Sequence, residues 1–141
     1  MYGGNEKLLS ANAFMPPFTL LTGFDFKRAS MYCDAVSPKL YTMHWVVMVE
    51  FWGNVILEKN PGLDEVLVVG ALANFFDLVD DTDEKNLSDY SYPGPNEPHP
   101  IPNGPQQRKI TQVKHTTGND MAVTPVVHGY GPIDDFARRL K

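Results

Sequence analysis

Two adjacent stretches of this 141-residue chain pull in opposite directions. Residues 38–79 hold most of its dense apolar sequence, and residues 93–105 (PGPNEPHPIPNGP) hold six of its twelve prolines. Proline lacks a backbone donor and has a fixed φ, so the second stretch is expected to form neither a ladder nor a helix. The first reads as a helical pair with more apolar surface than it can bury in itself. Together they predict a chain that completes its fold against a partner.

The strongest local signal begins at Ser37-Pro38, which resembles an N-cap followed by proline at the first helical position. Stepping 100° per residue, Tyr41, Trp45, Met48, Val49, Trp52, Val55 and Ile56 share one face. Lys39, Thr42, His44, Glu50, Asn54 and Glu58 fall on the other. HWVVMVEFW does not alternate, so helix is favoured over the competing β-hairpin turning at Gly53-Asn54. Asn60-Pro61-Gly62 stops the helix, and a second is expected over about 63–79, with Val68, Val69, Leu72, Phe75, Phe76 and Val79 on its apolar face. The short connection makes the pair antiparallel.

The flanks are less regular. Gly3-Gly4, Pro16-Pro17 and Gly23 break residues 1–24 into an arm, and a short helix fits within 25–36. From Asn86 to Gln107 the chain reads as extended with polyproline character, and KITQVKH (109–115) shows weak strand alternation. PIDDFARRLK closes the chain as a helix, with acids early and bases late as its dipole prefers. The expected fold is therefore mainly α, with an antiparallel hairpin of about 38–59 and 63–79 between an N-terminal arm and a Pro-rich strap. Its expected divisions are 1–36, 37–85 and 86–141.

Charge and cysteine narrow the function. Residues 1–105 carry 14 acids against 6 bases, a balance that argues against nucleic acid as a partner. The single cysteine, Cys33, excludes an internal disulfide framework and a cysteine-based zinc cluster. The N-terminus has no basic region followed by a continuous apolar run, so export through a signal peptide is not expected. Leu40–Leu57 carries one formally charged side chain, Glu50, and meets the usual length for a spanning candidate. Glu50, His44 and Asn54 are costly in lipid unless they face protein or water. The alternatives are a spanning or lipid-touching helix and a buried amphipathic one.

No catalytic constellation emerges. His44 and Glu50 lie six residues apart and do not face each other on a helix. Were a pigment or haem bound, His44 would be the axial candidate, but no cofactor is expected. The acidic run Asp77, Asp80, Asp81, Asp83, Glu84 lacks the Gly and Glu an EF-hand needs, so no metal site is expected. Cys33 with His44, His115 or His128 has no supporting pattern, and His128-Gly129-Tyr130-Gly131 reads as a turn. The chain is thus expected to be a non-catalytic subunit of a large assembly whose partners are other protein subunits. A membrane-associated respiratory or photosynthetic complex in an organelle is favoured. A virion structural or cement protein and a small soluble binding or inhibitory protein are the alternatives. Phe14, Phe18, Leu20, Trp45, Trp52, Tyr90, Tyr92 and Ile101 are the expected partner contacts.

Overall fold

The computed structural model describes residues 7–80 and 85–140, so Gly3-Gly4, Asp81, Asp83, Glu84 and Lys141 lie outside the described residues. It corrects the mainly-α expectation. Five α-helices and a four-stranded sheet with parallel pairing are present among the described residues, an α/β mixture rather than a hairpin between two irregular straps. The chain divides into two units, one of residues 1–39 and 109–126 and the other of 40–108 and 127–141.

The first unit is built on the sheet. Strand β1 (Ser10–Phe14) pairs in parallel with β2 (Ala35–Leu40), placing Ser10 opposite Ala35 and Phe14 opposite Lys39. Strand β3 (Ala122–Val123) pairs in parallel on the other side of β2, and β4 (Val126–Val127) also joins β2. The arm thus contributes a strand, and residues 18–21 form a short 3-10 turn. Ser37-Pro38, read as a helix start, lies inside β2 instead. The reason is visible in the burial: Val36, Pro38 and Leu40 alternate with half-buried neighbours, the period of two that a strand requires. Helix α1 (Phe26–Ala29) is capped by Asp25, whose carboxylate accepts from the Arg28 amide at 3.0 Å. Met15, Phe18, Phe26, Val113 and Met121 are buried in this unit.

The second unit carries helices α2 (Thr42–Lys59) and α3 (Glu65–Phe75). On α2 the buried side is Thr42, Trp45, Val46, Val49 and Gly53, at helical spacing but rotated from the expected face, because Gly53 admits the Leu87 side chain. Asp64 caps α3, its carboxylate accepting from the Leu67 amide at 3.1 Å. The helix ends four residues before the expected Val79. Asp77 takes a left-handed conformation (φ 51°) and turns Leu78 into the core. Arg108 grips this end through Asp77 and Asp80, both at 2.6 Å. These hydrogen bonds, Asp77's first, hold the guanidinium further above its already high range.

Residues 86–107 do not run as an extended strap. Residues 87–90 form a 3-10 turn boxed by Asn86 and Asp89, and helix α4 (Asn103–Thr117) starts at Asn103. Its buried positions, Gln106, Lys109, Val113 and Thr117, recur at helical spacing, so the weak strand signal at 109–115 is corrected as well. Tyr90 and Ile101 are buried in their own unit. Burial, with Asp89 adding to it, pushes the Tyr90 phenol up. Helix α5 (Ile133–Arg139) closes the chain. Among the described residues, no helix is long and apolar enough to cross a membrane. The spanning expectation for 40–57 fails because Leu40 belongs to β2, and the helix that follows includes Glu50, Glu58 and Lys59.

Candidate functional site

Six rings of the second unit close into a cycle. His99 stacks on His128 with centroids 4.9 Å apart and planes 15° from parallel. His128 meets Tyr41 edge-on at 5.6 Å, and Tyr41 meets His44 edge-on at 5.7 Å. His44 reaches Tyr92 at 6.2 Å, Tyr92 reaches Tyr130 at 5.6 Å, and Tyr130 returns to His99 at 5.9 Å. Offset and edge contacts of this kind contribute about 0.5–1.5 kcal/mol each beyond area burial.

Local structure explains how distant positions meet. Tyr41 directly follows β2 and His128 directly follows β4 in sequence. His44 lies in the first turn of α2, while Tyr92 and His99 come from the segment between the 3-10 turn and α4. Tyr130 donates its hydroxyl to the Pro93 carbonyl at 3.1 Å, and its amide donates to His128 Nδ1 at 3.2 Å. Gly131 adopts φ +99°, and a Cβ there would stand 3.0 Å from His99 Nε2, so only glycine suits both the turn and the imidazole.

His99 is the best-held member of the cycle. It is buried, its Nδ1 lies 2.7 Å from the Thr42 hydroxyl, and its amide donates to Asp135 Oδ2 at 3.4 Å. Asp135 is buried too, and Arg138 binds its other oxygen. Arg138 also donates to Asn103 Oδ1 at 2.7 Å, so α4 and α5 together fix the carboxylate. Beside His99 opens a cavity of about 420 Å³, lined by Asp80, Lys85, Asp135 and Arg138 and by a run of three prolines flanking His99 and Ile101. This volume falls in the range of small-molecule pockets, roughly 300–1,000 Å³. No known protein family, curated protein or solved structure matches this chain.

The residues singled out from sequence fall in different places. His44, the cofactor candidate, belongs to the cycle but is exposed. Tyr92 belongs to it and is half exposed. Phe18 is in the core of the first unit, whereas Phe14 and Leu20 are exposed there. Trp45, Tyr90 and Ile101 are in the core of the second, where Ile101 also reaches the cavity and Trp52 is partly exposed. Cys33 and His115 belong to the first unit and His44 and His128 to the second. No group of three or more metal-ligating side chains forms among the described residues. The sequence pattern marks none of His99, Thr42, Asp135 and Arg138 as a site residue. The available signal was His99 itself, a histidine between two prolines, which holds an imidazole on a rigid extended backbone.

Proposed function

We propose that the second unit binds a small molecule in the cavity beside His99, and that the chain acts as a binding protein. One observation carries this reading: a buried imidazole, fixed by Thr42 and Asp135 and stacked on His128, forms part of the wall of a cavity of about 420 Å³. Polar groups held in place before a ligand arrives lose little ordering entropy on binding. The Thr42 hydroxyl is fully buried, so it serves to orient the ring rather than to attack a ligand. A mixture of small polar and aromatic fragments, screened against the full chain by amide NMR, tests the site. Shifts should cluster at Val79, His99, Ile101 and Asp135. Hits scattered over the surface, with none at these amides, would remove the proposal.

A second reading has its own support. On α3, Leu67, Ala71 and Phe75 recur every four residues and are exposed, in line with exposed Leu63 before the helix. A helix apolar on its outer side as well as its inner one belongs beneath another surface. This favours a place in a larger assembly, either a membrane-associated respiratory or photosynthetic complex or a virion. The isolated chain should then bind a hydrophobic dye, and Leu67→Glu with Phe75→Glu should remove most of that binding at unchanged helicity. An isolated chain that binds no dye would count against the assembly.

A further inference from the structure

The chemical class of the ligand follows from the charges around the cavity, and this step rests on reading the cavity as a binding site. Among the described residues, four ionic side chains line it, two of each sign. Asp135 is paired with Arg138, Asp80 is held by Arg108 at 2.6 Å, and the Lys85 ammonium lies 5.8 Å from the Tyr90 ring centroid. An anion entering here would face Asp80 and Asp135, and a cation would face Arg138 and Lys85. Either would carry an unfavourable juxtaposition that a neutral molecule avoids.

The rest of the wall sets the shape of the polar contacts. Pro98, Pro100 and Pro102 offer no N–H donor, so with Val79 and Ile101 they form a stiff, mostly apolar side. Directional recognition comes from His99, Asp135 and Arg138. An imidazole nitrogen donates or accepts, a carboxylate only accepts, and a guanidinium only donates, with five N–H groups. Donors and acceptors set side by side match neighbouring hydroxyls, because each hydroxyl donates one bond and accepts two. A molecule with hydroxyls on its edge and C–H groups on its face fits both sides of the cavity.

We propose that this cavity binds an uncharged sugar or cyclic polyol, with Asp135, Arg138 and His99 contacting its hydroxyls. The test is amide NMR on the full chain, titrated with glucose, N-acetylglucosamine and myo-inositol to about 50 mM, where millimolar affinities are visible. Inorganic phosphate and tetramethylammonium serve as charged probes. At least one neutral probe should shift His99, Ile101 and Asp135 saturably. Asp135→Asn should weaken it by about tenfold or more, the loss expected for one hydrogen bond to a charged group. Val79→Trp, which fills the cavity from its rim and leaves the Asp135–Arg138 pair intact, should abolish the shifts with the circular dichroism spectrum unchanged. Saturable binding of phosphate or tetramethylammonium at these amides, with no neutral probe bound, overturns the ligand class and leaves the binding site standing. If neither these probes nor the fragment mixture shift these amides, the site and the class fall together.

Discussion

Replacing Trp45 with alanine should lower the stability of the chain by about 3–5 kcal/mol, the usual cost of removing a large aromatic side chain from a close-packed site. Trp45 is 2% exposed and lies on the buried side of α2 with Thr42, Val46, Val49 and Gly53. The neighbouring turns of a helix cannot collapse into the space it leaves, so most of the cavity would persist. Trp52 stands two turns along and should behave differently. It is partly exposed, and its indole Nε1 is buried without a hydrogen-bond acceptor among the described residues. Trp52→Ala should therefore cost clearly less than Trp45→Ala, and Trp52→Phe should be close to neutral, because it removes a donor that meets no acceptor among the described residues. Urea denaturation of the three variants, followed by circular dichroism at matched m-values, gives the ranking. Equal losses at positions 45 and 52 would mean that the α2 packing described above is wrong.

The same helix shows what could be read in the sequence and what could not. Its apolar periodicity was plain, since tryptophan and valine at helical spacing report a buried face wherever the partner comes from. The start was misplaced because Ser37-Pro38 fits two structures equally well locally. Only the parallel pairing of Ser37 and Pro38 with Asn12 and Ala13, some 25 positions earlier, selects the strand. Helix α4 was missed for a different reason. Its buried positions include Gln106, Lys109 and Thr117, so a search for apolar periodicity finds little there. The proline run misled in turn: it is extended locally, yet Tyr90, His99 and Ile101 face inward. The ring cycle was beyond reach, because it joins residues from positions 41 to 130 that only tertiary structure brings together. Tyr41, His44, Tyr92 and His128 stand out in the sequence only one at a time, with nothing there to join them.

Lys109→Ala should destabilise the first unit about as strongly as the loss of a core leucine, roughly 2–5 kcal/mol. Lys109 is fully buried on α4, and its ammonium lies 5.6 Å from the centroid of Phe18, itself buried. The stem and the charged head contribute separately there. The four-carbon stem fills core volume as an apolar side chain would, and the cation over the ring adds about 0.5–2 kcal/mol when desolvated. Lys109→Met separates them, because methionine keeps nearly all of the volume and none of the charge. If packing dominates, the methionine variant should recover more than half of the loss seen with alanine. If methionine is as damaging as alanine, the ammonium is the main stabilising element, and removing it leaves its buried neighbours without their counterpart. A double-mutant cycle with Phe18→Leu measures the ring's share directly. Coupling near zero would show that the Phe18 ring adds nothing to what the cation contributes. Alanine and methionine variants that both match the wild type would show that position 109 is not in the core at all, and the register of α4 would have to be revised.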